Sequence, residues 1–204
     1  MKKRTPTQKR SIEKKNKIID KGFNLICKQG YYKTTTNDIA KEAGVSVGII
    51  YQYFNDKKDI LIEGVKNYIN NIQNQTITIL NNENLNKKNI NKTIENIIDK
   101  FIETHTISKE AHEELSAMSH IDKNISKIYK DSELEMTEKI TQILKSNNIE
   151  IENNKEKVHI IIGIIENLCH EFIYHKHKNI DYKIMKKEVI KTISSMIKEV
   201  NDER

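Results

Sequence analysis

One short stretch, from Thr35 to Lys58, most constrains how this chain of 204 residues can fold. Thr35 and Asp38 have the spacing of a capping box, in which the hydroxyl and the carboxylate each accept a backbone N–H at the start of a helix. Gly44 is placed to end that helix, because glycine adopts the left-handed conformation without steric cost. Ser46 is a typical residue for the start of the next helix. The stretch therefore predicts two short helices joined by a tight turn.

The small and apolar residues of this stretch fit a helix-turn-helix unit. Ala40 and Gly44 let the two helices approach closely, and Ile50 and Phe54, four residues apart, give the second helix a buried stripe. In a helix-turn-helix the second helix enters the major groove of DNA. A helical hairpin inside a bundle carries similar spacing, and it is the alternative interpretation.

The distribution of charge favours DNA binding. Residues 1–58 hold 14 Lys and Arg against 5 Asp and Glu, whereas the remainder holds 21 against 24. Neutralising phosphates supplies most of the non-specific affinity for DNA, so a DNA-binding domain needs basic charge of this kind. A solvated basic face is the alternative, but the excess of positive charge coincides with the motif.

The scarcity of helix-breaking residues predicts an all-α protein of about nine helices. The chain has one proline and six glycines, with 31% charged and 36% hydrophobic residues. Cys27 and Cys169 each lie in an apolar helical pattern, and we predict free thiols that behave as small hydrophobic side chains. The sequence contains neither a run of 18 apolar residues nor a secretory signal, so a cytoplasmic protein is expected.

No pattern of catalytic or metal-binding residues stands out in the sequence. It contains no P-loop, dinucleotide fingerprint, HExxH or GxSxG motif, so we expect neither enzymatic activity nor a cofactor. All seven histidines lie between residues 105 and 177. The closest set, His170, His175 and His177, would point in different directions on one helix, and we predict no metal site.

Several motifs of the first 65 residues resemble those of the tetracycline-repressor (TetR) family. They are Gly30, Tyr31, the run Thr34–Thr36, the segment DIAKEAGVSVGIIYQYF that starts at Asp38, Lys57 and Leu61. The resemblance covers roughly residues 12–65. It implies a three-helix DNA-binding domain in residues 1–58, of which we expect residues 1–10 to be a disordered basic arm. Residues 59–204 would then form a helical domain that binds an effector and dimerises.

The exposed face of the second motif helix is expected to contact DNA. The residues assigned to this face are Val47, Gly48, Ile49, Gln52 and Tyr53. Gln52 is the best candidate to read a base, because its amide can pair with adenine. Val47 and Ile49 can touch thymine methyl groups, and Gly48 lets the backbone approach. Tyr51 and Tyr53 would bring hydroxyls to phosphates, or else pack in the core.

The starts of the flanking helices supply further candidate contacts. Thr36 can offer its hydroxyl and backbone N–H to a phosphate, and Asn37 can reach a phosphate or a base edge. Lys57 matches the phosphate-contacting lysine of the family, and Lys58 is a second candidate. Ile49 departs from the family pattern, because many relatives have Thr there, and this position loses a hydroxyl.

The resemblance implies a small-molecule pocket and a twofold dimer in the second domain. Candidate pocket residues are Tyr68, Phe101, His105, Met118, His120, Tyr129 and Phe172, although most of them could instead be core. The last two helices, expected at residues 155–178 and 181–200, would make a four-helix dimer interface. Its candidate residues are Ile161, Ile165, Leu168, Phe172, Ile193 and Ile197. Gly163, in the middle of a helix, would be explained by a close helix crossing.

Together these features predict a homodimeric repressor that binds a palindromic DNA operator and is released by a small-molecule ligand of unknown identity. The alternative is a TetR-like DNA-bound protein without an inducer, which acts through protein partners or organises the chromosome. A closed apolar cavity in the second domain would separate the two, since only the first needs one.

Overall fold

The computed structural model describes residues 9–82, 85–86, 88–105 and 107–198. Within these ranges it contains nine α-helices and no strand, which confirms the predicted all-α fold. The helices are α1 (Lys9–Gln29), α2 (Thr36–Ala43), α3 (Val47–Tyr53), α4 (Lys57–Asn82), α5 (Ile90–Thr104), α6 (Lys109–Ile121), α7 (Lys123–Ser146), α8 (Asn154–Tyr174) and α9 (Tyr182–Lys198).

Two helix boundaries differ from the prediction. Lys9 and Arg10 belong to the first turn of α1, so the expected disordered arm does not include them, and residues 1–8 of that arm lie outside the described residues. Helix α8 ends at Tyr174 and not at residue 178. The segment His175–Lys178 instead begins the connection to α9, and all four of its residues are exposed, so they add no buried face to α8.

The chain packs as two compact units. Unit 1 comprises residues 1–69 and 107–129, and unit 2 comprises residues 70–106 and 130–204. Thus α6 and the beginnings of α4 and α7 pack in the same unit as α1, α2 and α3. The functional division between residues 58 and 59 stays a prediction, because packing alone does not locate it.

Helices α1 and α4 pack against each other in the core of unit 1. The apolar side chains of this core with no exposed surface are Ile18, Ile39, Ala43, Ile50, Ile60, Leu61, Val65 and Ile125. A Cβ added at Gly64 would lie 2.6 Å from three atoms of Phe23, and one at Gly22 would lie 2.7 Å from Ile60. Both positions therefore need glycine, because a side chain there would collide with side chains of the core.

The core of unit 2 is formed by apolar faces of α5, α7, α8 and α9 with the second half of α4. Ile98, Cys169 and Ile193 have no exposed surface there. Cys169 is buried and Cys27 is half-buried, and both are free thiols as predicted. Burial raises the pKa of each thiol to about 12, so neither ionises near neutral pH.

Among the described residues, none of the helices has the length and apolarity to cross a membrane.

Candidate DNA-binding site

The start of α2 is fixed by the predicted capping box. The backbone N–H of Asp38 donates to Thr35 Oγ1 at 3.2 Å, and the N–H of Thr35 donates to Asp38 Oδ2 at 2.9 Å. The Thr35 hydroxyl also donates to Oδ2, and these hydrogen bonds hold the pKa of Asp38 below its ordinary value. The first turn of α2 is thereby held in one conformation, with its N-terminal N–H groups at the surface.

Gly44 makes the predicted turn between α2 and α3. Its φ of 66° lies in the left-handed region, where a side chain would be strained. The N–H of Val45 then closes back on the carbonyl of Ala40 at 3.0 Å. Ser46 occupies the N-cap position of α3, but its hydroxyl makes no capping hydrogen bond. The turn is therefore held by the backbone of α2 and not by the serine side chain.

Helix α3 is packed on the core of unit 1 through one face, and its opposite face is exposed to solvent. Ile50 and Phe54 are 0% and 2% exposed, which confirms the predicted buried stripe. Gly48, Tyr51 and Gln52 are exposed, whereas Val47 and Ile49 are half-buried against the unit 1 core. A helix held so firmly on its inner side offers its outer side chains to a ligand without first having to be ordered.

Tyr53 does not lie on the exposed face, contrary to expectation. It is 8% exposed, and its hydroxyl lies 2.8 Å from the hydroxyl oxygen of Ser11 in α1. The reason is helical geometry, since residue 53 follows Ile50 by three positions and shares its inner face. Tyr53 therefore packs in the core, which was the alternative interpretation, and its hydroxyl connects α3 to α1.

Lys57 serves the loop between α1 and α2. Its ammonium donates to the carbonyls of Tyr31 at 2.6 Å and Thr34 at 2.7 Å, and it lies 4.3 Å from the centroid of the Tyr31 ring. A lysine ammonium has three donors, and these carbonyls use two of them. The charge remains, because carbonyls do not neutralise it, and it stands beside the start of α2.

Two acidic residues of unit 1 that the sequence did not single out also support this region. Glu114 of α6 accepts the N–H of Tyr31 at 2.7 Å. Asp122, between α6 and α7, forms an ion pair with Lys58 at 2.5 Å. Both contacts join residues more than sixty positions apart, so no local pattern in the sequence indicated them.

The candidate pocket residues are divided between the two units. Phe101 and His105 lie together, with ring centroids 4.1 Å apart, and His170 and Tyr174 of α8 complete this cluster in unit 2. Phe172, two residues from His170, packs instead on Tyr182. The other candidates belong to unit 1: Met118 is buried, Tyr68 and Tyr129 are half-buried against its core, and His120 is exposed.

Histidines do not assemble a metal site in the described part of the chain. No group of three or more His, Cys, Asp or Glu side chains that could hold a metal ion occurs there. His105 is partly buried beside Phe101, and this burial lowers its pKa. His175 and His177 are exposed beyond the end of α8.

Four of the six candidate interface residues are core residues of a single chain. Ile165, Leu168, Ile193 and Ile197 are at most 8% exposed in unit 2, so a second copy would not reach them. Ile161 and Phe172 are half-buried. The outward apolar positions of α8 are Ile160, which is 52% exposed, Gly163 and the half-buried Ile164. A Cβ at Gly163 would meet no atom within 4 Å, so no helix crosses there within one chain.

Comparisons with known proteins agree with this geometry. Residues 18–63 match the model of the family described as bacterial regulatory proteins, tetR family. The HTH-type transcriptional regulator HbdR of Aromatoleum sp. (strain CIB) is 46% identical over 63 residues, which are 31% of this chain and only 28% of HbdR. The biofilm operon icaADBC HTH-type negative transcriptional regulator IcaR of Staphylococcus aureus is 30% identical over 149 residues, 64% of this chain and 77% of IcaR.

The similarity of fold extends through both units. A TetR transcription regulator from Haloarcula marismortui has a TM-score of 0.68, with 92% of this chain and 98% of that chain covered at 13% identity. The exposed α3 of the helix-turn-helix, together with the family match and these relatives, identifies the chain as a DNA-binding transcriptional regulator. The chain belongs to the TetR family. Members of this family are regulators and not enzymes, in agreement with the sequence.

Proposed function

We propose that the protein is a homodimeric repressor that binds a palindromic operator in the cytoplasm and is released from it by a small molecule. The observation that carries the proposal is the outer face of α3, where Gly48, Tyr51 and Gln52 are exposed on a helix fixed by Ile50 and Phe54. One helix reads too few bases for useful specificity, so two copies about one DNA turn apart are required.

Each exposed residue has a distinct role in this proposal. Gln52 pairs with an adenine edge, Tyr51 donates its hydroxyl to a phosphate, and Gly48 lets the α3 backbone approach the groove. Val47 and Ile49 offer the exposed parts of their side chains to thymine methyl groups. Tyr53 acts indirectly, because its hydroxyl is engaged with Ser11 and fixes α3 on α1.

The neighbouring helix starts hold the DNA backbone. Thr36 and Asn37 lie in the first turn of α2, where N–H groups and the helix dipole favour an anion. Lys57 keeps its charge beside them while it binds the carbonyls of Tyr31 and Thr34. Lys58 is a second phosphate contact. These contacts set the register of α3 on the duplex but do not read sequence.

Dimerisation is assigned to the outward face of α8 together with α9. Ile160, Gly163 and Ile164 follow one another at helical spacing and form an apolar strip, of which one chain leaves Ile160 and Gly163 exposed and covers part of Ile164. Gly163 would let a partner helix approach closely. The resemblance to the family supports this assignment, because its last two long helices form a four-helix interface.

The effector is assigned to unit 2. The cluster of Phe101, His105, His170 and Tyr174 offers aromatic faces and imidazole nitrogens, which suit a small organic ligand better than a bare ion. Release follows if the ligand prefers a dimer whose two α3 helices no longer match the spacing of the operator half-sites.

Selection of bound duplexes from a random DNA pool by the purified full-length protein, at stated salt, tests the proposal. A palindromic consensus with half-sites about one turn apart, roughly 34–36 Å, is expected. A consensus without symmetry, or no consensus, would refute the proposal that a dimer binds a palindromic operator. It would favour a protein that acts through partners or organises the chromosome.

A further inference from the structure

Two neighbouring lysines at the start of α4 have partners of opposite character. Lys57 binds the neutral carbonyls of Tyr31 and Thr34, so its positive charge remains available to an anion. Lys58 pairs with the carboxylate of Asp122 at 2.5 Å, which cancels its charge. The two residues lie in the same helix turn, but Lys57 leaves a net positive charge at the proposed DNA-binding surface of unit 1 and the paired Lys58 does not.

Asp122 divides its two oxygens between two tasks. Oδ1 accepts the N–H groups of Asn124 at 3.0 Å and Ile125 at 3.2 Å, and so caps the start of α7. Oδ2 binds the ammonium of Lys58. This hydrogen-bonded pairing lowers the pKa of Asp122 and raises that of Lys58, so both groups are charged near neutral pH. The cap needs only an oxygen acceptor, whereas the pairing with Lys58 needs the negative charge.

We propose that Asp122 is an internal competitor for the DNA backbone, which holds Lys58 by its ammonium and thereby lowers the affinity of the protein for all DNA sequences. The inference rests on the proposed phosphate contacts at the start of α4. A phosphate that binds Lys58 therefore competes with Asp122 for its positive charge.

The geometry supports competition and not permanent burial of the pair. The side chains of Lys58 and Asp122 remain 34% and 19% exposed, and an ion pair with this access to water is weak and screened by salt. DNA, with its high density of phosphates, can therefore displace the carboxylate. Once displaced, Asp122 leaves a negative charge near the backbone, which opposes binding a second time.

Asp122→Asn separates the two tasks, because asparagine is also a favoured helix cap but carries no charge. In the full-length protein, with an operator duplex obtained by selection, we expect Asp122→Asn to bind more tightly at 50 mM salt. The slope of log affinity against log salt should steepen by up to about 0.9, the value for one more neutralised phosphate, since the carboxylate no longer offsets the charge of Lys58 in the complex. Between 50 and 200 mM salt the variant would then lose up to roughly 3.5-fold more affinity than the unmodified protein.

Asp181→Asn is the matched control. Asp181 caps α9 through Oδ1 with the same spacing, accepting the N–H groups of Lys183 and Ile184 at 2.8 and 3.2 Å. The substitution Asp181→Asn removes the same charge from a helix cap in unit 2, and it should leave the affinity for DNA and the salt slope unchanged. Lys58→Met tests the mechanism, because the gain from Asp122→Asn should shrink once Lys58 is absent and only the repulsion between Asp122 and the phosphates remains.

Three results would overturn the inference. Asp122→Asn could bind no more tightly than the unmodified protein, its effect could be undiminished in the Lys58→Met background, or Asp181→Asn could reproduce it. Thermal unfolding followed by circular dichroism establishes that each variant is folded, and Asp122→Ser, which also keeps a capping oxygen, replaces an Asn variant that does not fold. An unmodified protein that binds no selected duplex would refute the proposed function itself, which is a different outcome.

Discussion

Gln52 is the residue on which sequence reading by α3 most depends. Its side chain is exposed on a helix whose opposite face is buried through Ile50, so its amide can approach a base edge without rearrangement. We expect Gln52→Ala to reduce discrimination at one base pair of each half-site by about 1–3 kcal/mol, because a bidentate contact to adenine is lost.

The measurement is the affinity for a set of operators changed at single base pairs. Gln29→Ala, at the exposed end of α1, is the control and should not alter the preference at any position. If Gln52→Ala weakens binding to all duplexes equally, its role is not the reading of a base.

Glu166 makes the stability of unit 2 depend on pH. Its partial burial on α8, with the nearby carboxylate of Glu133 as a second cause, raises its pKa from 4.5 to about 7. Between these values the folded chain keeps a proton that the unfolded chain has released, so stability falls as pH rises from about 4.5 to 7. The cost is fully present above pH 7, where Glu166 must ionise in the folded protein.

Replacing Glu166 with Gln removes this cost. We expect Glu166→Gln to be more stable than the unmodified protein at pH 8, on the order of 1–3 kcal/mol, and the difference to shrink towards pH 4.5. Urea unfolding across this range measures it. Glu150→Gln, at an exposed position after α7, is the control. A stability difference that is the same at every pH would refute the assigned titration.

At the scale of the helices, the contact between α1 and α4 depends on Gly64. An added Cβ would lie 2.6 Å from the Phe23 side chain, which is 7% exposed and cannot move aside freely. We expect Gly64→Ala to lower the free energy of unfolding by about 1–3 kcal/mol, as overpacking of a core does.

Gly48→Ala provides the comparison, because it places the same methyl group in helix α3, where the one atom within 4 Å is Ser46 Oγ at 3.9 Å. Helix propensity alone predicts a gain of about 1 kcal/mol for this change. Both are measured by urea unfolding at one protein concentration, since dimerisation would couple stability to concentration. Equal effects of the two substitutions would show that the α1–α4 contact tolerates a side chain.

Local signals in the sequence were sufficient for α2 and the turn, and insufficient for contacts between helices. The capping box of Thr35 and Asp38 and the conformation of Gly44 depend on neighbours within four residues, and both are confirmed. The partners of Lys57 and Lys58 depend on the three-dimensional packing of the α1–α2 loop and the α6–α7 corner. Tyr53 was assigned to the exposed face although its spacing from Ile50 already indicated the inner face.

For the whole molecule, apolar periodicity predicted helix α8 but not which of its faces is buried within one chain. Residues 158–173 are apolar on several sides, so every face fits a core or an interface equally well. The fold separates them: Ile165 and Leu168 turn inward, Ile160 and Gly163 are exposed, and Ile164 is half-buried against the core. The proposed dimer surface is therefore centred on Ile160 and Gly163, whereas four of the six residues expected from the sequence lie in the core of one chain.

A charge placed on this outward strip tests the proposed dimer without disturbing the core. Ile160 is 52% exposed in one chain, so Ile160→Lys should leave unit 2 folded and, in a dimer, bury an unpaired ammonium against the partner helix. Sedimentation equilibrium should then show monomers, and the variant should lose its advantage for a palindrome over a single half-site. Ile121→Lys is the control, because Ile121 is 74% exposed at the end of α6 and lies outside α8 and α9.

The control should stay dimeric and keep its preference for the palindrome. Ile165→Lys, by contrast, charges a position only 8% exposed, and we expect it to unfold the chain and not to dissociate it. If Ile160→Lys sediments as a dimer, the apolar strip of α8 is not the interface. The reason is that a lysine exposed on the monomer costs little free energy. A lysine buried without a partner at the interface costs several kcal/mol, which is on the order of the free energy of dimerisation.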